Sequence, residues 1–436
     1  MLSKKAAIDQ VRTMLEVRTR ESERLERIRS YLRDDQPIPW LPKDAPREVR
    51  LLAEVGRVNV LRLVANVPAQ ALFVTAYESS RGHEDEPAWH IWNRNRMDRR
   101  QVGVHRASGA FGASYVTVLP GDTAPVLRGV SPRYMTTLYG QDDEWPMWAL
   151  ERRRTTDGQL WRLFDDTHVY WVGSDRFGGE LTYISAEAHN AGVCPVVRFV
   201  PADDLDDPVT GDVEPLIPLQ DQINVTTFGL QVAQHYGAFR QRAVIGWVAK
   251  SEAELLKASS ARTWTFKDHP DDVKVQDLDE TSLEGYIESR EATMRHLATV
   301  SQTPVHELLG TMANLSAEAL VAARHSSDQK VGEREANFGE SWEQVLELGS
   351  QLQYGTEFDW TARVKWKDTK ARSLSQVADA LGKIADQLKV PPQALWEMIP
   401  GVEQQDVKHW KEMAVEADAY AGLTEALERL APRDVA

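Results

Sequence analysis

Apolar residues at helical spacing predict a charged amphipathic helix at the start of the chain. Its apolar side is formed by Ile8, Val11, Leu15, Leu25, Ile28 and Leu32, as in a helix with one buried face. Four prolines in residues 37–46 end this helix, because proline disfavours a helical conformation in the residue before it. A second helical pattern follows at 47–66.

The pattern then changes from helical to β-rich. One apolar side of a predicted third helix is formed by Trp89, Trp92, Met97 and Val104. Gly109 and Gly112 end this helix, and residues 115–200 form short apolar runs separated by polar turns. This predicts the α+β class, with a meander-like sheet flanked by helices.

Two later helices have narrow apolar stripes. We predict them at 214–238 and 283–300, with apolar positions alternately three and four residues apart. The stripe positions are Leu216, Leu219, Ile223, Thr226, Leu230, Ala233 and Gly237 in the first, and Leu283, Ile287, Arg290, Met294 and Leu297 in the second. The insert between them, 239–282, is typical of a small α/β unit with three strands and one helix.

A long helix is predicted at 316–353, with Ser316 as its N-cap. Only its second half is apolar, so we expect that half to pack in a core. Its polar middle, RHSSDQKVGERE, is expected to meet water or a neighbouring subunit. Gly332 and Gly339 would allow a bend. A strand at 361–368 and a helix capped by Ser373 or Ser375 follow.

Composition limits what the surface can bind. The net charge is −15 at pH 7, so the surface as a whole should not bind nucleic acid tightly. Cys194 is the single cysteine and lies in an apolar strand; we expect it to be buried, and assembly to occur in a reducing environment. No segment approaches the roughly 20 apolar residues of a membrane span, so we expect no membrane partner.

Two patterns resemble ion sites without completing them. His306-Glu307 begins like a zinc-protease helix, but Gly310 stands where the second histidine is required. An acidic cluster lacks the spacing of a calcium-binding loop; its members are Asp203, Asp204, Asp206, Asp207 and Asp212. A solvated turn is the favoured interpretation, with a divalent ion as the alternative. We predict no metal, no cofactor and no catalytic residue.

Arginine clusters are the remaining candidate contacts. They are Arg94, Arg96, Arg99 and Arg100, and then Arg152, Arg153 and Arg154. Either cluster has the chemistry to touch phosphate, but charge runs are usually solvated or paired across a subunit interface, which we favour here. Arg240 and Arg242, at the end of the first narrow-stripe helix, are predicted to face DNA or a partner protein.

Five segments in a fixed order carry a resemblance to a known family. They are AWHIWNRNRMD with HRASGAFGASYV, then CPVVRFVP, then PLIPLQDQINVTTFGLQVAQHYGAFRQRAVIG, then SQTPVHELLG with NLSAEAL, and finally FGESWEQVLEL. In this order the chain resembles the portal proteins of tailed double-stranded DNA bacteriophages, of the siphophage type. The resemblance covers nearly the whole chain.

This resemblance implies a ring-forming portal fold with named parts. They are an α/β wing (1–213), a first stem helix (214–238), a small α/β clip (239–282), a second stem helix (283–300), a tunnel loop (301–315), a long kinked wing helix with a wing strand (316–372) and a helical crown (373–436). Each narrow-stripe helix would then contact its own partner on one side and neighbouring subunits on others.

The resemblance also implies a role and partners. Usually twelve copies form a channel for viral DNA during packaging and ejection. The ring docks the large terminase subunit, later a head–tail adaptor, and meets the major capsid and scaffolding proteins; it lies at the portal vertex of the virion after assembly in the host cytoplasm. In the tunnel loop, His306, Thr311, Met312 and Asn314 are the candidates for facing DNA. None carries a fixed positive charge, which suits weak, sequence-independent contact.

Two alternatives stay open at this point. Another virion structural protein, such as a connector or minor head protein, would leave the insert between two narrow-stripe helices unexplained. A hydrolase would need clustered carboxylates, and the sequence contains no phosphate-binding loop or nucleophile motif of a known type.

Overall fold

The computed structural model describes residues 1–78, 86–141, 144–153, 155, 158–176, 178–205, 210–237, 242–245, 274–277, 282–310, 317–356, 359–369, 374–399, 402, 406–407 and 409–416. For 242–245 and 274–277 only the backbone is described. Within these ranges the architecture is mixed α and β, as the class prediction requires.

The first helix, α1 (Lys4–Leu32), is confirmed and begins where Ser3 accepts a hydrogen bond from the Ala6 amide. Its fully buried side chains are Ala7, Val11, Met14, Leu25, Ile28 and Tyr31. The predicted positions Ile8, Leu15 and Leu32 lie beside this stripe and are partly buried. The two ends of α1 pack on different partners, the first on a sheet and the second on helices.

The prediction of one continuous helix at 47–66 is wrong. The segment forms two helices, α2 (Arg47–Val55) and α3 (Leu61–Ala71). Asn59 starts α3 by accepting a hydrogen bond from the Arg62 amide. The intervening amides of Val58 and Val60 bond to side chains of a distant helix, so tertiary hydrogen bonds replace the helical ones here.

The next predicted helix is also divided, into α4 (Glu86–Arg94) and α5 (Met97–Phe111). Asn95 causes the break, because its side chain donates to the Pro125 carbonyl and accepts from the Leu127 amide. Arg96 then takes a left-handed conformation with φ of 53°. Gly112, with φ of 90°, ends α5 as predicted, whereas Gly109, also predicted to end the helix, lies inside it.

Antiparallel strands occupy the region predicted as β-rich. One sheet of three strands places β2 (Ser114–Leu119) between β3 (Val126–Val130) and β9 (Val196–Phe199). The other sheet is a meander in chain order, β4 (Met135–Leu138), β5 (Trp148–Arg153), β6 (Gln159–Phe164), β7 (His168–Ser174) and β8 (Thr182–Ala188). The predicted meander is therefore confirmed.

Helices dominate the described part of the second half. They are α6 (Ile217–Gly237), preceded by a 3-10 turn (Glu214–Leu216), α7 (Glu284–Ser301), α8 (Val305–Leu309), α9 (Ala317–Tyr354), α10 (Leu374–Leu388) and α11 (Pro392–Leu395). The predictions at 214–238, 283–300 and 316–353 agree within a few residues. The short α8 was not predicted. Along α9 the helix continues unbroken through Gly332 and Gly339.

Two short strand pairs complete the description. In the insert, β10 (Arg242–Ile245) pairs antiparallel with β11 (Lys274–Asp277), which supports two of its three predicted strands. The predicted third strand and helix, and the predicted caps at Ser316 and Ser373, lie outside the described residues. Far from the insert, β1 (Val74–Glu78) pairs with β12 (Arg363–Trp366).

The largest apolar cluster surrounds the second half of α9. Phe338, Trp342, Val345, Leu346 and Leu348 have no exposed surface. The Trp342 indole donates a hydrogen bond of 2.8 Å to Nε2 of His105, which stacks on Phe338. Burial lowers the pKa of His105 to about 3, so the imidazole stays neutral and accepts this bond. The apolar prediction for this half is confirmed.

Candidate functional site

The candidate site lies where α6 and α7 join the body of the protein and lead into α8. The two helices run side by side, and Gly229 of α6 lies against the ring of Tyr286. A Cβ atom at Gly229 would stand 3.0 Å from that ring, closer than ordinary van der Waals contact. Glycine at this position therefore permits the close approach of the two helices.

Polar side chains share the buried face of α6 with apolar ones. Leu216, Ile223 and Leu230 are buried as the narrow stripe predicts, and Gln220, Asn224 and Thr227 are buried beside them. Gln220 accepts from the Val60 amide at 3.0 Å, and Asn224 accepts from the Val58 amide at 3.1 Å. The stripe prediction missed these amides, although their spacing of four residues places them on one helix face.

The narrow stripe of α7 is buried only at its end. Leu297 is fully buried, but Ile287, predicted on the same stripe, is 39% exposed. Within one chain, the predicted apolar stripe of this helix is therefore buried at its C-terminal end and exposed at Ile287. Other large apolar side chains are also exposed on the pair: Val225 and Tyr236 on α6, and Val300 on α7. Within the described residues, these four apolar side chains of the helix pair are therefore exposed to solvent.

A buried ion network ties this helix pair to the long helix α9. Asp212, just before α6, accepts from Arg334 at 2.7 Å on both carboxylate oxygens. Lys330, one turn earlier on α9, forms an ion pair of 2.7 Å with the same carboxylate. Lys330 also donates to the carbonyl of Ser301, the last residue of α7, at 2.9 Å. We call these four residues the Asp212 network.

The Asp212 network corrects two expectations from sequence. Asp212 was predicted in a solvated turn, yet only 11% of its side chain is exposed, because two cations from α9 enclose it. The middle of α9 was expected to meet water or another subunit. His325, Ser326 and Glu333 are exposed as expected, but the Arg334 side chain is 4% exposed within one chain. Burial lowers the pKa of Lys330, and the charge of Asp212 opposes that effect.

A glycine at the end of α5 makes room for the network. The Gly109 carbonyl accepts from the Asp212 amide at 2.8 Å. A Cβ atom at Gly109 would lie 3.2 Å from Nη1 of Arg334, which is tighter than most such contacts. Four elements, α5, α6, α7 and α9, therefore meet around a single carboxylate.

The segment after α7 is held by its own backbone and by one buried leucine. Gln302, with φ of 55°, ends α7, and the Thr303 amide bonds to the Ala298 carbonyl at 3.0 Å. Leu308 of α8 packs in the apolar cluster that contains Leu297. Gly310, with φ of 66°, ends α8. The predicted loop therefore contains a short, anchored helix.

The residues proposed to face DNA are only partly described. His306 lies on α8 and is half-buried. Thr311, Met312, Asn314 and Arg240 lie outside the described residues, and Arg242 begins β10 with only its backbone described. The structure therefore brings none of these side chains together, and their role stays a prediction.

Other candidate chemistry finds no support in the described ranges. There, no three His, Cys, Asp or Glu side chains are grouped as metal ligands would be. Cys194 is buried as predicted, and burial raises the pKa of its thiol well above the usual range. Among the described helices, none is both long and apolar enough to cross a membrane.

Comparison with known proteins identifies the class. The profile described as "Phage portal protein, SPP1 Gp6-like" matches residues 13–420. The portal protein of Mycobacterium phage D29 is 24% identical over 365 residues, covering 77% of this chain and 74% of that protein. The portal protein of Mycobacterium phage L5 is 23% identical over 366 residues, covering 78% and 74%.

A solved structure shares the fold. It is a chain in the neck of an empty GTA particle, computed with C6 symmetry, with a TM-score of 0.50 and 14% identity over 82% of this chain and 95% of that one. At this level of identity the comparison shows that the two chains share a fold. The chain belongs to the SPP1 Gp6-like family of phage portal proteins.

Proposed function

We propose that this portal-family chain assembles into a ring, of twelve copies, whose channel carries viral DNA during packaging and ejection. The observation that carries the proposal is the helix pair α6–α7, which is fixed to the body by the Asp212 network while Val225, Tyr236, Ile287 and Val300 stay exposed. Apolar residues exposed along anchored helices favour contact with further copies.

The described elements support a division of the chain into portal parts. In this proposal α6 and α7 are the two stem helices, and 239–282, which includes the β10–β11 pair, is the clip. The wing is 1–213, joined by α9 and β12 within 316–372, and 373–436 is the crown. The antiparallel sheets in the first part and the helix pair flanking a small strand pair are consistent with this division.

The Asp212 network has a mechanical role in this proposal. It fixes the end of α7 to the middle of α9, because Lys330 binds both the Ser301 carbonyl and Asp212. The tunnel loop, 301–315, joins these two helices, so its first residue is held by a charge-assisted hydrogen bond from Lys330 to the Ser301 carbonyl. Repeated around a ring, this anchoring would place every copy of the loop at the same height in the channel.

Channel residues need to touch DNA without holding it. Each phosphate that a protein neutralises releases counterions and strengthens binding. His306, Thr311, Met312 and Asn314 add no fixed positive charge to the tunnel loop, and the chain carries −15 overall. DNA of any sequence would then slide past the loop with weak contacts.

The proposed partners follow from the portal role. Arg240 and Arg242 lie in or beside the clip, where the large terminase subunit and later a head–tail adaptor would dock. Major capsid and scaffolding proteins would surround the wing, and the ring would be assembled in the host cytoplasm before residing in the virion. The role is structural, without cofactor or catalysis.

A loop variant tests the channel proposal. Replacing residues 311–314 with glycine and serine, together with His306→Ala, should leave ring formation intact because Leu308 still anchors α8. DNA retention in particles assembled with this ring should fall several-fold, measured as packaged DNA per particle. A matched control is Glu284→Gln, at the far end of α7. Normal packaging with the loop variant would contradict the proposed contact between the loop and DNA. Loss of rings would contradict the proposal that these loop residues are not needed for ring formation.

A further inference from the structure

A basic cleft lies between α1 and the meander sheet, outside the site described above. Its volume is about 440 Å³, and its wall includes Arg18, Arg133, Arg152 and Arg153. Glu26 is the carboxylate among its described lining residues. A second depression shares Arg152 and Arg153 and extends the cleft along the sheet. Four guanidinium groups thus converge in a chain that is acidic overall.

The guanidinium of Arg18 has a buried N–H group without a hydrogen-bond acceptor among the described residues. This group is Nη1. The Nη2 of Arg18 donates to the Arg133 carbonyl, and the guanidinium lies over the Trp161 ring. Burial, and then the positive charges of Arg152 and Arg133, lower the pKa of Arg18 to about 10, while the charge of Glu21 opposes this shift. An incoming oxyanion would offset the repulsion among these guanidinium groups.

Glu21 lies close enough to Arg18 to raise its pKa, and the two other acidic groups near the cleft, Glu26 and Glu151, are ion-paired with arginines. Glu26 forms ion pairs with Arg133 and Arg29. Glu151 is shared by Arg128, Arg153 and Arg162. A carboxylate that binds the remaining arginine donors of the cleft is therefore expected to come from another molecule.

We propose that the cleft binds carboxylates of an acidic segment from a neighbouring copy of this chain. This proposal rests on the ring proposed above. Every copy carries 66 acidic against 51 basic residues, so a neighbour is a ready source of carboxylates. Arginine forks bind carboxylates through paired hydrogen bonds, and Leu25 and Tyr134 in the wall suit the aliphatic parts of a peptide.

A nucleic acid fits the cleft less well. A cleft of this volume holds a few side chains, whereas a DNA duplex is a broad, rigid rod that would lie across its mouth. The duplex could present phosphates only at the mouth, whereas single carboxylate side chains of a peptide can enter the cleft. We therefore favour peptide carboxylates and leave DNA as an outcome of the test.

The first test measures binding of a labelled decaglutamate peptide to the full chain by fluorescence anisotropy, at protein concentrations where native mass spectrometry shows single subunits. The peptide should bind, and Arg18→Gln and Arg152→Gln should each weaken binding at least tenfold. Arg47→Gln, an exposed arginine of α2, is the matched control and should leave binding unchanged. Arg18 also packs on Trp161, so its replacement can affect folding as well as binding, and Arg152→Gln is therefore included as a second variant. The melting temperature of each variant verifies that it is folded.

Competing ligands and ring assembly decide the occupant. Inorganic phosphate or a DNA duplex binding through these arginines, without peptide binding, would overturn the assignment; so would the absence of binding by all three probes. In the ring assay, both variants should lower the fraction of assembled rings, and decaglutamate should inhibit assembly of the unaltered chain. If the variants form rings as well as the unaltered chain does, the neighbouring copy is not the occupant of the cleft, although the cleft would still bind carboxylates.

Failure of the unaltered chain to form any ring would instead count against the proposed function, while peptide binding still tests the cleft.

Discussion

The two halves of the long helix α9 are held in place by different forces. Its second half buries Trp342 and Phe338 in the largest apolar cluster. Its middle buries Lys330 and Arg334 against a single carboxylate, Asp212. One helix is therefore fixed by apolar packing at one end and by directional ion pairs in the middle.

The difference teaches which contacts stabilise the fold and which position the loop. Apolar burial depends on area and tolerates small displacements. Hydrogen-bonded ion pairs are strongly directional, and their net contribution is reduced by the cost of removing charges from water. We infer that the apolar half supplies most of the stability, whereas the Asp212 network fixes the relative positions of α6, α7 and α9.

The largest expected effect comes from breaking the apolar half. Trp342→Ala removes a ring that contacts Trp92 and Phe199 and donates to His105. The free energy of unfolding, measured by urea denaturation, should fall by about 3–5 kcal/mol. The control Trp40→Ala changes a side chain that is 85% exposed, and should alter stability by less than about 0.5 kcal/mol. A loss in the variant no larger than in the control would contradict the apolar account.

Breaking the Asp212 network should cost less. Arg334→Gln leaves the carboxylate with Lys330 alone, and we expect a loss of about 2–3 kcal/mol. Arg106→Gln, on the exposed side of α5, should change stability little. Because Asp212 and Arg334 share one interaction, Asp212→Asn combined with Arg334→Gln should cost about 0.5–3 kcal/mol less than the sum of the single losses. Strict additivity would show that the two residues act independently.

A pH experiment sharpens the comparison within the apolar half. Burial, and then the negative charge of Glu343, raise the pKa of Glu347 to about 7. Because a free glutamate has a pKa near 4.3, the stability present below that pH is lost as the pH rises through 7. Glu347→Gln should therefore raise the free energy of unfolding by about 1–2 kcal/mol at pH 8.5, and by less at pH 5.

The matched control for this experiment is Glu340→Gln, which changes an exposed carboxylate on the same helix. Its effect on stability should be less than about 0.5 kcal/mol. A stabilisation by Glu347→Gln that is equal at both pH values would contradict the raised pKa.

The smallest effect on a single chain is expected at the exposed apolar residues of the helix pair. Val225→Ser and Ile287→Ser should change the stability of one subunit by less than about 0.5 kcal/mol, because both side chains are exposed there. The fraction of assembled rings, measured by native mass spectrometry, should nevertheless fall. Ile184→Ser, an exposed residue of β8, is the control. Unchanged assembly in both variants would remove the helix pair from the subunit contact.

The spacing of apolar residues correctly predicted those helices and strands that depend mainly on their local sequence. The meander, α1, the helix pair and α9 follow from local spacing and were found within a few residues. The helix breaks and the buried amide side chains were not predicted, because they depend on polar contacts between residues far apart in the sequence. Asn95 and Gln220 interrupt or fix helices by bonding to distant backbone groups, and no local pattern reveals such partners.

The candidate site shows the same limit. Asp212 was assigned to a solvated turn because its partners, Lys330 and Arg334, lie more than a hundred residues away. The tunnel-loop residues His306, Thr311, Met312 and Asn314 remain a prediction from family resemblance, with only His306 within the described chain. Membership of the portal family was predicted from five ordered segments and is confirmed by the match over residues 13–420.

The most direct test of the central claim is native mass spectrometry of the full chain, with electron microscopy of the same sample and of heads assembled with it. We predict closed rings of about twelve copies with a central hole, by the resemblance to phage portals. A compact dimer or tetramer without a hole, in solution and in assembled heads alike, would contradict the proposed DNA channel.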